Sequence, residues 1–324
     1  MGNSVVSGID IGHHNIKVVV LKPYKGRYAL VGYQELPIEA GIFSDNHMLN
    51  YQKIVKKLKE LRKSLPRISR KVALTLPDSS VISKVIQIDS DIKSQEIEFA
   101  LLESFSSQSP FPLEALCLDF VPLEQQSSDQ YKQFQVFATK KEVVHNRIDV
   151  MQGAGLSPLL IDLRSYSLAR VWQLAACAFD SNDWMLINLE CQLATLCIDF
   201  PHQAPYCKDI TIASCDESLS PECCTRVSAK EFKEKLKRQL QLVTSIYGIE
   251  IQGIWLCGKG EQCSILAEWL RFFPNLKCRT LDPFDLLQVS VPRKQSNELS
   301  GSSFAIAMGA ALRGLGWLGC KNAA

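Results

Sequence analysis

Apolar and polar positions near the start of the chain fall into short runs broken by turn residues. Val5–Ile11, Ile16–Leu21 and Tyr28–Leu36 read as three strands, with the turn Gly12-His13-His14-Asn15 joining the first pair, an antiparallel hairpin extended to a meander. From Asp45 the period becomes helical. Met48, Val55, Leu58 and Leu61 recur on one side, while Lys53, Lys56, Lys57, Lys59 and Arg62 cover the other. Lys71–Leu76 and Val81–Ile88 are the next strands. A helix from about Ser94 follows, with Glu96 and Glu98 suited to its N-terminal dipole and Ile97, Leu101 and Phe105 on one face. Ser109-Pro110-Phe111-Pro112 stops it. Leu116–Val121 and Gln133–Thr139 are two further strands, linked through Ser127-Ser128-Asp129. The β, α, β, β order between Val81 and Thr139 is the size and pattern of a small inserted subdomain.

A helix with Val144, Ile148 and Met151 inward comes next, closed by Gly153 and Gly155, then a strand at Leu159–Leu163 and an apolar helix at Tyr166–Phe179. The second half opens on strands Met185–Leu189 and Leu193–Phe200, a turn at Pro201-His202-Gln203-Ala204, and a strand at Tyr206–Ala213. Ser214–Val227 reads as a polar loop and Lys230–Tyr247 as a basic amphipathic helix. Ile254–Cys257, Gly258-Lys259-Gly260 and Gln262–Phe272 form a strand, turn, helix unit. Arg293–Ser302 reads as a loop and Phe304–Arg313 as a compact helix rich in Ala and Gly.

The two halves resemble each other at a constant offset of 178 residues. Ile9-Asp10-Ile11-Gly12 aligns with Ile187-Asn188-Leu189-Glu190, and Ile16-Lys17-Val18 with Ala194-Thr195-Leu196, without a gap. Duplicated halves that face each other place equivalent loops across a cleft. A Gly-containing turn lets backbone N–H groups approach phosphate, and an Asp at a strand end can hold hydrated Mg²⁺.

Charge narrows the function. Lys and Arg number 36 against 34 Asp and Glu, so no strong field gathers nucleic acid or acidic lipid. No stretch approaches ~18 uninterrupted apolar residues and no signal sequence opens the chain, so a soluble, cytosolic protein is expected. The 12 Cys are then reduced thiols. Cys207, Cys215, Cys223 and Cys224 lie in or beside one polar stretch but lack a C-x-x-C element, which favours free thiols over zinc, and no metal site is expected. Glu231 and Glu234 intersperse the basic run Lys230–Lys237, as on a solvated helix face. Leu315-Gly316-Trp317-Leu318 is expected to pack onto its own domain rather than a membrane.

Gly8-Ile9-Asp10-Ile11-Gly12 with Ile16-Lys17 resembles the first phosphate loop of the actin-like ATPase superfamily, and within it of the PilM family of type IV pilus assembly proteins, relatives of FtsA. Further similar stretches follow in order. They are Leu76-Pro77 with Val81–Ile86; Pro110–Leu113 with Leu118-Asp119-Phe120; Ala138–Val144 with Gly153–Leu156; and the closing helix Phe304–Arg313. The resemblance implies an α/β, actin-like fold of two RNase H-like lobes with a small inserted αβ subdomain in the first. It places the first lobe at 1–80 and 140–180, the insertion at 81–139, the second lobe at 181–303, and a closing helix returning to the first lobe at 304–324.

The resemblance also implies a nucleotide cleft built from Asp10, Gly12, His13, His14, Asn15, Lys17, Asn188, Glu190, Gly258, Lys259 and Gly260. His13 and His14 replace small hydroxyl residues of the loop and could donate to phosphate. Two changes oppose ATP and Mg²⁺. Asn188 lacks the charge of the expected Asp, Glu190 replaces the expected Gly, and a like charge at ~4 Å costs about 4 kcal/mol at an effective dielectric of ~20. Lys259 stands between two glycines, solvated or paired with Glu190. ATP and Mg²⁺ are therefore expected to bind weakly or not at all, and no catalytic residue is assigned.

By resemblance, the chain is a cytoplasmic scaffold, peripheral on the inner face of a bacterial inner membrane. It would bind the N-terminal tail of a PilN-like membrane protein as an extended peptide, in an assembly with PilO- and PilP-like proteins and a pilus motor ATPase. The groove would lie between the first lobe and the insertion. Val81, Val85 and Ile86 are expected to pair with the tail, and Phe111 and Leu113 to wall a pocket, unless they are core residues of the insertion. The alternatives are an active ATPase or sugar kinase of the same superfamily, or an FtsA-like polymerising protein.

Overall fold

The computed structural model describes residues 5–39, 41–43, 48–66, 70–123, 130–190, 193–200, 203–212, 221–271, 273, 276–288 and 301–321. The expected turn at 127–129, Cys215 and most of the loop at 293–302 lie outside them. In the first half, β1 (Val6–Ile11), β2 (Asn15–Tyr24), β3 (Arg27–Pro37), β4 (Lys71–Leu76) and β8 (Ser157–Leu163) form a sheet in the order β3-β2-β1-β4-β8. The first three strands are antiparallel, while β4 and β8 run parallel to β1. In the second half, β9 (Trp184–Leu189), β10 (Leu193–Ile198), β11 (Tyr206–Thr211), β12 (Gly253–Gly258) and β13 (Lys277–Thr280) repeat that topology as β11-β10-β9-β12-β13.

The repeat extends to register. Ile9 pairs with Val18 and Asp10 with Lys17; at the same offset Ile187 pairs with Leu196 and Asn188 with Thr195. Even the hairpin closures correspond, Gly12 N donating to Asn15 O and Glu190 N to Leu193 O. Two independent hairpins would share register by chance only rarely, since a slip of one residue turns every side chain to the other face.

Covering both faces of the first sheet explains the apolar run Val18–Leu21 of β2. Val18 and Val20 join a core with α1 (Tyr51–Ser64) and α3 (Lys141–Gly153), while Val19 and Leu21 join one with α7 (Ala305–Lys321). Helix α1 begins at Tyr51 rather than near Asp45, because the Asn50 side chain accepts from Lys53 N at 3.2 Å and caps it there. On α3 the core side is Val143, Arg147, Val150 and Met151, so Val144 and Ile148 point elsewhere than expected.

The third sheet, β5-β7-β6, comprises β5 (Ile82–Asp89), β6 (Leu116–Pro122) and β7 (Tyr131–Lys140). It is wholly antiparallel and encloses its own small core with α2 (Ile97–Ser106). Helix α4 (Arg164–Phe179) falls at the end of the segment assigned to the first lobe, yet its buried face, with Leu168, Val171 and Trp172, packs in the second core. Helix α5 starts at Pro221, so the last residues of the expected polar loop are helical. Proline suits a first helical turn, whose N–H groups have no helical partner. Helix α6 spans Gly260–Leu270.

Helix α7 lies against α4 and against β1, β2 and β4. The segment Gly301–Cys320 is long and apolar enough to cross a bilayer, but 61% of it is buried in the molecule. Small residues make that burial possible. A Cβ on Gly309 would stand 1.9 Å from Ser167 O of α4, and one on Gly8 would stand 2.0 Å from Ala307 O. Leu315 completes the packing at 6% exposure. Gly309→Val should therefore destabilise the fold by about 3 kcal/mol or more, read as a lower urea midpoint; an unchanged midpoint would contradict this close packing.

Candidate functional site

The two equivalent hairpins are joined by one side chain, Arg164, the first residue of α4. Its Nε lies 3.3 Å from Asp10 Oδ1 and its Nη2 donates to Asp10 Oδ2 at 3.3 Å; the same Nη2 donates to Glu190 Oε1. Asp10, 4% exposed at the end of β1, also accepts from Thr75 Oγ1 of β4 at 2.8 Å. One guanidinium thus joins the first hairpin to the second. Burial pulls its pKa down, but Asp10 and Glu190 more than reverse this and hold it above its ordinary value. The carboxylate of Glu190 therefore has Arg164 as its partner, while Lys259 is exposed.

A cation in the first turn of a helix opposes the helix dipole. The missing negative charge comes from outside α4. Asp78, in the turn after β4, accepts from Ser165 N at 3.2 Å and from the Ser165 hydroxyl. Burial raises the Asp78 pKa above its ordinary value of 3.8, with the Ser165 hydrogen bonds pulling the other way.

Several of the remaining candidate residues have partners within the chain. Gly12 N–H closes its own turn. The Asn15 side-chain amide donates to Glu35, and Lys17 Nζ donates to Ser303 O at 2.8 Å. Asn188 is buried on β9, at 4% exposure. Gly258 has φ +140°, a Cβ there would stand 2.7 Å from Leu189 O, and its N–H donates to Ser302 Oγ at 3.1 Å. That glycine is required by packing on β9 whatever binds nearby. His13 and His14 are both exposed, and the His13 ring packs on Phe43 at 4.9 Å. Gly260 opens α6.

A second concavity lies between the outer edge of β8 and the outer edge of β6, neither of which is bonded to a further strand among the described residues. It holds about 390 Å³ and is mainly apolar. Val144 and Ile148 line it, which is where that face of α3 points, together with Leu118, Val121 and Phe137. Tyr166 packs edge-on to Phe137 at 5.4 Å, and Arg313 Nε meets Asp162 Oδ2 at 2.9 Å on the opposite wall.

Of the residues expected to take a peptide, Val81 lines this groove. Val85 is 53% exposed on β5, the far edge of the insertion from β6. Ile86 is a correction: at 3% exposure it belongs to the core of the insertion and has no surface to offer. Leu113 packs partly buried on the same core, and Phe111 lies under Lys140 Nζ at 5.1 Å. Of the four cysteines weighed for zinc, Cys207 is the one whose side chain is among those described. Cys207 Sγ lies 3.2 Å from Cys197 Sγ across the β10–β11 pair, and no group of three or more metal-ligating side chains occurs among the described residues.

Arg164 and Asp78 were not among the residues singled out from sequence, although an Arg at a helix start with no acidic neighbour in that turn is itself a signal of an external anion.

The family model of the type IV pilus assembly protein PilM matches residues 8–195, more than half of the chain, and the chain belongs to that family. Its fold is similar to that of a solved PilM-PilN type IV pilus biogenesis complex, with 23% identity, TM-score 0.74, and 97% of this chain and 99% of that chain covered. It is also similar to the ethanolamine utilization protein EutJ from Carboxydothermus hydrogenoformans, with 11% identity, TM-score 0.50, and 96% and 90% covered. The fold is actin-like, as expected.

A carboxyl whose folded pKa is raised contributes stability at low pH that is lost as pH rises through the folded value. Asp78→Asn keeps one of the two oxygens that accept from Ser165 but cannot ionise, so its stability relative to wild type should rise from acid to neutral pH in urea titrations. A difference independent of pH would contradict the burial of Asp78.

Proposed function

We propose that this PilM-family chain is a non-enzymatic scaffold on the inner face of a bacterial inner membrane, holding the extended N-terminal tail of a PilN-like membrane protein in the groove between β6 and β8. The observation that carries this reading is the pair of free strand edges facing one apolar groove. An extended peptide can add main-chain hydrogen bonds to such an edge while alternate side chains enter the pocket. A tail bound there would tether the protein to the membrane through its partner, beside PilO- and PilP-like proteins and within reach of a pilus motor ATPase. The similarity in fold to a PilM-PilN complex supports the choice of partner.

In this reading the nucleotide site is degenerate. A Mg²⁺–triphosphate entering between the hairpins would have to displace a guanidinium engaged by two carboxylates, and would meet uncharged Asn188 on the β9 side. ATP and Mg²⁺ are then weak or lost ligands. The alternative, an active ATPase or sugar kinase, needs a carboxylate free to orient or deprotonate the attacking hydroxyl. Asp10 and Glu190 are both committed to Arg164.

Calorimetric titration with the tail peptide of the PilN-like protein from the same genome should give saturable binding that Mg-ATP leaves unchanged. Val121→Asp, at a position 49% exposed within the groove, should weaken binding about tenfold, as losing one buried aliphatic contact implies. Val85→Asp on β5 should leave it intact. Loss of binding in Val85→Asp alone would move the site to the β5 edge, and low micromolar binding of Mg-ATP would overturn the degenerate site.

A further inference from the structure

We propose that Arg164 is a built-in clamp, a cation supplied by the chain itself that fixes the two lobes and thereby sets the shape of the β6–β8 groove without nucleotide. The proposal rests on the groove as the peptide site and adds what controls it.

Chain continuity is the first argument. One wall of the groove is β8, whose last residue, Leu163, precedes Arg164 directly and is the N-cap of α4. The strand end that would meet a peptide and the guanidinium that joins the lobes are consecutive residues. Any rotation of α4 that withdraws Arg164 from Glu190 turns the end of β8. Tyr166, two residues further on, is also in the groove wall.

The second argument is that polar contacts lead from the clamp to the other walls. Asp10, held by Arg164, accepts from Thr75, and Thr75 is followed by Leu76, which lines the groove. Ser165 is held by Asp78 in the turn that also contains Ser80. The Ser80 carbonyl accepts from Thr139 Oγ1 of β7 at 2.8 Å, and Thr139 is a groove residue as well. The clamp therefore touches the groove through β4, β7 and β8.

The third argument is electrostatic. Opening the lobes would part Arg164 from one of its two carboxylates, Asp10 or Glu190, and leave the separated charges without the partner that offsets their desolvation. Closure in this chain thus has its own source of energy, where a ligand-closed cleft would need phosphate and metal to bridge the hairpins. Arg164 is a positioning residue: it acts on the peptide through β8 and touches none of it.

The test combines amide hydrogen exchange with calorimetry on the full chain. Arg164→Ala should speed exchange about tenfold or more, both at the end of β8 (161–163) and in the second hairpin (188–190), and weaken the PilN-like tail peptide about tenfold. Arg164→Lys should recover part of both effects, since a point charge can meet one carboxylate but not span two. Should Arg164→Ala fail to fold, Glu190→Gln decides: it keeps the shape of Glu190 and should loosen 188–190 and weaken the tail. Exchange within about twofold of wild type in these segments would overturn the clamp. Faster exchange with unchanged tail affinity would overturn its control of the groove. A wild-type protein that binds no tail would instead remove the peptide reading, and the exchange data would still judge the clamp.

Discussion

The bridge from Asp10 through Arg164 to Glu190 is the constraint on which the relation between the lobes depends. A guanidinium with only 17% of its side chain exposed keeps its charge only if carboxylates replace lost water, and here one comes from each hairpin. Removing one member of such a buried set costs on the order of 3–5 kcal/mol, toward the lower end here because the Glu190 side chain is 29% exposed. Two carboxylates facing one cleft without the cation would repel each other, so Glu190, read alone as a defect of the loop, is one half of a contact.

Duplication explains how the bridge arose geometrically. Corresponding register in β1–β2 and β9–β10 makes position 10 equivalent to position 188, and position 12 equivalent to position 190. A residue at the start of the helix following β8 then stands between the two hairpins. That residue is Arg164. The inserted sheet takes no part in the bridge but contributes β6, the far wall of the groove, and the bridge and the groove meet where β8 runs into α4.

Much of this was legible in the sequence, because the features concerned are periodic or repeated. The strands of both halves except β13, the insertion and the offset of 178 residues follow from local patterns. What escaped depends on contacts distant in sequence. Arg164 lies 154 residues from Asp10, and nothing in Leu163-Arg164-Ser165 alone names its partners. Ile86 and Val85 are neighbours on one strand, and which of them faces the core is fixed by α2 packing on one side of the sheet. Val144 and Ile148 were assigned inward on helical period, which finds an apolar face but does not distinguish a core from a groove. Asp78 lies 87 residues from Ser165, and its role depends on that distant contact.

The most direct test of the account is a crystal structure of the protein grown with the PilN-like tail peptide and Mg-ATP together. The account predicts the peptide as an added strand in the groove between β6 and β8, and Arg164 still joining Asp10 to Glu190 with no nucleotide between the hairpins. A nucleotide in the cleft with Arg164 displaced, or a peptide seated elsewhere with the groove empty, would contradict it.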